Sequence, residues 1–437
     1  MLKPELEIPL RLPVDQLVQP EPLDESTKLA ERCRTLVQID EMRLDPSLRE
    51  ESQGFSGVRA LFDPEDLNFH RLRQLVIDRA PPLAARPVTV PSDRRAEIYR
   101  PAWWIPGAHA QTLWGKFFRA RPSLPLRVER WDTPDGDFVD VHRLDGPENA
   151  PRLLFLHGLE GTIRSHYVAG FFGEAQRRGW AADLLIFRGC GDEPNRAPRF
   201  YHSGETGDLE MALERVHAEH PSAPIVLAGV SLGGNVLLKF LGEQGRSASD
   251  RIVASAAISV PFDLERGARF ISTGVSRIYD RHFLKTLRQK ALAKLERYPG
   301  LFDAGALRRA ANIYEFDDAV TAPVHGFKDA HDYYSRSSSL GFLGRIAVPT
   351  LLLSAIDDPF LPPAVLDEVR DVARANTWLH LEFTDHGGHV GFIGGRLPWR
   401  PFYFAEWKAC EYLSAALASR EHTGAPITFR SSMRTLD

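Results

Sequence analysis

The sequence predicts an α/β fold, a mostly parallel sheet with helices on both faces and one helical insertion. Three observations predict it. From about Leu124 to Thr384 short continuous apolar runs alternate with helix-period stretches, the mark of strands buried on both faces. The composition, 43% hydrophobic and 26% charged in 437 residues, is that of an ordinary globular protein. Between Val260 and Val348 the alternation stops, and helical patterns run without a convincing strand.

The elements follow in order. Residues 1–92 are rich in Pro and charge and form an N-terminal helical extension, with helical stretches from Asp24 to Glu41 and from Phe62 to Arg79. Ser26 is the candidate cap of the first, ahead of apolar Leu29, Cys33, Leu36 and Val37. The segment APPLAARPVTVPSD, residues 80–93, reads as an extended connector because of its prolines. LRVERWDTPDGDFVDVHRL reads as a hairpin turning at Thr133 to Asp137. Strands are then expected at RLLFLHG, WAADLLIF, PIVLAGV, IVASAAISV, TLLLSAI and WLHLEFT. Helices are expected from Ser165 to Arg178, Glu205 to Glu219, Leu232 to Glu243 and about Phe402 to Leu417. The resulting organisation is a catalytic-type domain over 93–420, a cap at about 262–345 inside it, and a tail at 421–437.

Charge and cysteine usage exclude several function classes. Lys+Arg is 54 and Asp+Glu 58, a formal net charge of -4, without the basic excess of a nucleic-acid binder. Cys33, Cys190 and Cys410 lie far apart and fit neither a disulfide framework nor a C-x-x-C site. MLKPELEIPLRLPVD has no apolar core of a secretory signal, and no run of about 18 apolar residues is present. The expectation is a cytoplasmic protein with no transmembrane segment; its oligomeric state is not readable.

Gly229-Val230-Ser231-Leu232-Gly233 matches G-x-S-x-G. The pattern is weak alone, but here an apolar run leads in and an amphipathic run leads out, the strand–turn–helix setting that it requires. Such a turn pushes the Ser231 hydroxyl into the cleft, and the flanking glycines relieve contacts between strand and helix.

A nucleophilic Ser needs a base, and the base an orienting acid. One later strand ends in Asp357-Asp358-Pro359, and the next is followed by Asp385-His386-Gly387-Gly388-His389. Both groups lie past strand C-termini, where an open α/β sheet carries its site. The residues alone leave either Asp357 or Asp358 as the acid, with Asp358 preferred because it abuts Pro359. They leave either His386 or His389 as the base, with His389 preferred because the glycines free its loop. The H-x-x-H spacing is a poor metal site, since it sits in a Gly-Gly loop without an apparent third ligand. The oxyanion donors expected are the N–H groups of Leu232, directly after the nucleophile, and of Leu159 in His157-Gly158-Leu159-Glu160-Gly161. His157 reads as a brace of that loop.

Beyond the elbow, HAQTLWGKFFR (109–119), HGLEG (157–161), FRGCGDEPNR (187–196), YHSGE (201–205), GVSLGGN (229–235), APVHGFKDAHDYYSRSSS (322–339), DDPF (357–360) and HGGHVGF (386–392) occur in this order. Together they resemble the YheT-like branch of the α/β-hydrolases, related to abhydrolase-domain proteins 1 and 3 and to yeast medium-chain alcohol acyltransferases. The resemblance covers about residues 99 to 415. It implies the α/β-hydrolase fold, a serine hydrolase of carboxylic esters, and Asp358 and His389 as acid and base. No cofactor and no metal are expected. Gly191-Asp192 departs from the Ser-Gly usual there, which leaves the shape of that loop open. Arg188, Arg196 and His202 read either as contacts for an anionic substrate group or as an internal network.

The expected activity is cleavage of small-molecule or lipid esters with short- to medium-chain acyl groups, through a Ser-Asp-His triad and an acyl-enzyme. The alternatives are acyl transfer to an alcohol by the same residues, and a non-enzymatic interaction protein that keeps the fold.

Overall fold

The computed structural model describes residues 98–120 and 124–423. The N-terminal extension, its Pro-rich connector and residues 424–437 of the tail lie outside the described residues.

Helix α1 (Ala108–Phe118) comes first, followed by the hairpin β1 (Leu126–Asp132) and β2 (Phe138–Leu144). Then β3 (Arg152–Leu156), α2 (His166–Arg177), β4 (Ala181–Ile186), α3 (Gly207–Glu219), β5 (Ile225–Val230), α4 (Leu232–Gln244) and β6 (Ile252–Ile258) alternate. The insertion holds α5 (Leu264–Ile271), α6 (Arg277–Arg297), α7 (Ala304–Arg309) and α8 (Ala330–Ser337), joined by shorter turns. The chain closes with β7 (Thr350–Ala355), α9 (Ala364–Ala375), β8 (Leu379–Thr384), the small hairpin β9 (Ile393–Leu397) and β10 (Arg400–Tyr403), and α10 (Phe404–Thr423).

Eight strands form one sheet in the order β1-β2-β4-β3-β5-β6-β7-β8. β1–β2 and β2–β4 pair antiparallel; every later pair is parallel. The expected strands are all present, and the α/β-hydrolase fold stands. Strands β3 to β7 are buried along their whole length. That explains why they appear as unbroken apolar runs: helices cover both faces, so there is no solvent side to favour alternation. Removing this apolar surface from water, at about 25 cal/mol per Å², is the main force holding sheet to helices.

Two elements were not foreseen. α1 has the sequence AHAQTLWGKFF, in which polar His109 and Gln111 are buried, so its inner face does not read as apolar. The β9–β10 hairpin occupies the start of the stretch expected to be the C-terminal helix. Phe402 and Tyr403 pair with Gly394 and Ile393, and Pro401 before them has no N–H to give a helix. α10 therefore begins at Phe404.

The insertion between β6 and β7 is helical, and no strand occurs in it among the described residues. Two of its helices, α5 and α8, start on carboxylate caps: Asp263 accepts from the Arg266 N–H at 2.9 Å and Asp329 from the Asp332 N–H at 2.8 Å. It is packed around two small apolar clusters, one built on Leu284, Ala291, Leu307 and Val320, the other on Leu264, Ala268, Tyr333 and Tyr334.

Candidate active site

Ser231 sits between β5 and α4 with φ 54 and ψ -120, a left-handed conformation that a non-glycine residue adopts only under constraint. The constraint is visible. Its N–H donates to Ile258 O at 2.8 Å, and its C=O accepts from the Asn235 N–H at 3.0 Å. A Cβ at Gly229 would lie 2.5 Å from Gly233 O, and one at Gly233 would lie 2.5 Å from His157 O. Only glycine allows β5, α4 and the loop after β3 to meet this closely.

The side chains expected from the sequence come together. His389 Nε2 lies 3.0 Å from Ser231 Oγ. His389 Nδ1 lies 2.9 and 3.1 Å from the two oxygens of Asp358. Both His389 and Asp358 are buried. With the Nδ1 proton donated to Asp358, Nε2 presents its lone pair to the Ser231 hydroxyl.

The alternative residues go elsewhere. Asp357 accepts from the Gly388 N–H at 2.9 Å and lies 3.3 Å from His386 Nδ1. Burial pushes its carboxyl above the usual range, while these donors pull it back. Asp357 and His386 therefore form a second pair that fastens the base loop, with His386 largely in solvent.

The base loop rests on a support that sequence reasoning missed. The His389 N–H donates to Thr112 Oγ1 at 2.9 Å, and Gln111 bonds both the N–H and the C=O of Ile393. A Cβ at Gly388 would lie 2.3 Å from Ala108 O, and one at Gly391 would lie 2.5 Å from Gln111 O. The loop thus lies directly on α1. From the other side Ser259 Oγ accepts from the Val390 N–H at 3.0 Å. Val390 and Phe392 have φ 60 and 45, strain held by these contacts. Phe360 lies flat on the His389 ring, with centroids 3.9 Å apart and planes at 13°. The HAQT stretch was a signal for α1, but its spacing carries no chemistry that points to a histidine 277 residues away.

The loop after β3 lies against the nucleophile: a Cβ at Gly158 would be 3.2 Å from Ser231 Cβ. His157 is a brace, as expected. The Phe187 N–H donates to its Nε2 at 3.1 Å, so Nδ1 carries the proton and donates to Gly158 O at 2.7 Å. Burial pushes its imidazole down to about 4, so it stays neutral. Leu159 and Leu232 both border the cavity beside Ser231. Among the described residues no acceptor engages either N–H.

Of the three residues read as substrate contacts or network, two are network. Arg188 donates to both oxygens of Asp208, at 2.8 and 2.7 Å, and to Asp135 at 2.6 Å. His202 accepts from the Gly204 N–H at 3.1 Å, and its ring packs on His325 and Tyr333. Burial drives it down to about 3, so it offers no charge to an anion. Arg196 is exposed and lies 3.4 Å from Asp132.

A cavity of about 560 Å³ opens over Ser231 and His389. Its floor is the ends of β3 and β5. Its far wall is the insertion, which contributes Leu264, Ile271, Phe283, Leu287, Ile313 and Phe316.

Comparison with known proteins agrees with the fold. A family model described as the alpha/beta hydrolase fold matches residues 151–395. The chain is 39% identical over 317 residues to YheT of Escherichia coli (strain K12), covering 71% of this chain and 92% of that one. It is 30% identical over 311 residues to Phospholipase ABHD3 of Mus musculus, covering 69% and 75%. It is 32% identical over 267 residues to Monoacylglycerol lipase of Saccharomyces cerevisiae, covering 59% and 58%. No described helix is long and apolar enough to cross a membrane.

Proposed function

This chain belongs to the YheT-like branch of the α/β-hydrolase family, and on that premise we propose that it cleaves carboxylic esters through an acyl-enzyme on Ser231. The relatives are named as an esterase, a phospholipase and a monoacylglycerol lipase, all ester hydrolases. The observation that carries the mechanism is the run of contacts from Asp358 to His389 to Ser231, 2.9 Å and 3.0 Å long.

In the proposed reaction Ser231 Oγ attacks the ester carbonyl while His389 Nε2 takes its proton. Asp358 holds the imidazole in the required tautomer and balances its positive charge. The N–H groups of Leu159 and Leu232 receive the oxyanion, and the N-terminus of α4 adds its partial positive charge. His389 then protonates the leaving alcohol. Water, deprotonated by the same histidine, releases the acid and restores Ser231.

The insertion at about 262–345 acts as the cap and supplies the acyl-binding wall. A cavity of about 560 Å³ is within the range typical of small-ligand sites, and supports short- to medium-chain acyl groups. The test is Ser231→Ala assayed on p-nitrophenyl esters from C2 to C16. Loss of turnover by up to about 10⁶-fold is expected, with wild-type rates falling off at the longest chains. Unchanged hydrolysis by Ser231→Ala would overturn the proposal.

A further inference from the structure

The cation on the cap side of the oxyanion loop has no part in the reaction just proposed. Glu160 follows Leu159 with φ 55, an uncommon conformation for a non-glycine residue. Its N–H donates to Tyr201 Oη at 2.9 Å. Its Oε1 accepts from Tyr201 Oη at 3.0 Å and from Lys290 Nζ at 2.8 Å. On the other side of Leu159, the Gly158 N–H donates to Tyr167 Oη at 2.9 Å. The two N–H groups flanking Leu159 are therefore each held by a tyrosine hydroxyl. The Glu160 carboxylate is 10% exposed, and Lys290 is the cation that pairs with it.

Lys290 belongs to α6, in the cap. That helix is tied down at both ends: Tyr279 Oη lies 3.0 Å from His109 Nδ1 on α1, and Lys294 Nζ donates to Asn195 Oδ1 at 2.8 Å and to Ala197 O at 2.7 Å. Lys290 is thus presented to Glu160 from a fixed helix.

We propose that Lys290 is a positioning residue for the oxyanion hole, through which the cap sets the place of the Leu159 N–H. It does so in two ways. It holds the Glu160 carboxylate, and so the left-handed turn that aims the preceding peptide. It also balances a nearly buried negative charge one residue from where the oxyanion develops, a charge that would otherwise oppose the transition state. Both effects act on the transition state more than on the bound ester, so their loss lowers kcat and leaves KM nearly unchanged.

The inference rests on the serine-esterase reading, and the experiment separates the two. The full chain is assayed on p-nitrophenyl butyrate, with fluorophosphonate labelling in parallel, as wild type, Lys290→Met, Lys290→Arg, Glu160→Gln/Lys290→Met, and Lys285→Met as an exposed control on the same helix. Lys290→Met is expected to lose about tenfold in kcat, less than the roughly 10²–10³ for deleting an oxyanion donor outright, with KM within about twofold. Lys290→Arg recovers most of this. The double variant recovers part, because the unpaired carboxylate is gone, and Lys285→Met matches wild type. Wild-type kcat in Lys290→Met, a loss carried by KM, or no recovery in Lys290→Arg would overturn the role of Lys290. A wild-type protein that neither hydrolyses the ester nor takes the label would overturn the esterase reading itself. If Lys290→Met does not fold, Lys290→Arg and the double variant carry the same comparison.

Discussion

The sheet and the cap solve the same packing problem differently. The sheet half has one continuous apolar core that runs from Trp131 to Leu417. The cap has two small clusters and leans on polar ties to hold it: Lys294 to the Asn195 loop, Asp280 to the Ile313 N–H at 3.0 Å, and Asp317 to Tyr334 Oη at 2.6 Å. The proposed chemistry sits on the first half, where packing fixes Ser231, Asp358 and His389. The second half lines the cavity. Ties of this kind are more easily adjusted than a close-packed core, and more sensitive to pH.

The largest effect expected tests the rigid half. Asp358→Asn should lower kcat on the order of 10⁴-fold, because the imidazole loses its tautomer. Asp357→Asn, which touches only the loop fastening, should cost about tenfold or less. Equal losses in the two variants on p-nitrophenyl butyrate would dissolve the distinction between acid and fastener.

Next comes stability. Leu353 in β7 and Leu307 in α7 are both fully buried. Leu353→Ala should cost about 2–5 kcal/mol of global stability. Leu307→Ala should loosen the cap first, so that substrate binding is lost at lower urea than the far-UV circular dichroism of the sheet. A single coincident transition in Leu307→Ala would show that cap and sheet unfold as one unit.

A third expectation concerns pH. Burial pushes the Asp317 carboxyl up to about 6, against the pull of its bonds from Thr321 and Tyr334. Its folded value lies above the unfolded one, so its contribution to stability is complete below about pH 4. It is lost as pH rises through about 6, by at most about 3 kcal/mol at about 1.4 kcal/mol per pH unit. Melting curves from pH 4 to 7 should show this loss in wild type and a flatter profile in Asp317→Asn. Parallel profiles would remove Asp317 as the pH-sensitive tie.

The smallest effect expected is at the support of the base. Thr112→Val keeps the shape of the side chain and removes the acceptor for the His389 N–H. A loss of about tenfold in kcat, with an unchanged melting temperature, is expected from a slight shift of the imidazole. A melting temperature that falls in step with activity would make Thr112 a packing residue only.

Legibility in the sequence follows the same division. β3 to β7 and the elbow at Ser231 were readable because burial on both faces and a tight turn each leave a local mark. The pairing of Asp358 with His389 was narrowed by local order and by family resemblance, but the residues alone left two acids and two histidines. What separates them is Asp357 turning to Gly388 and His386, which is a fact of three dimensions. α1 stayed unread because its buried face carries His109 and Gln111. Their long-range bonds go to Tyr279 and Ile393, 170 and 282 residues away, and no window of sequence contains both partners. The cap was recognisable as helical, yet its tie through Lys290 to Glu160 spans 130 residues and has no local pattern.

The position of α1 bears on what counts as the smallest self-sufficient unit. The matched family segment, 151–395, holds the proposed nucleophile, acid, base and both proposed oxyanion loops, and so looks like a complete module. The shelf under His389 lies outside it, at Ala108 to Thr112. A chain trimmed to the module would keep every reacting group and lose the surface that keeps one of them in place. Modularity judged by reacting groups and modularity judged by what holds them draw different boundaries here, and transplanting this chemistry means carrying α1 along.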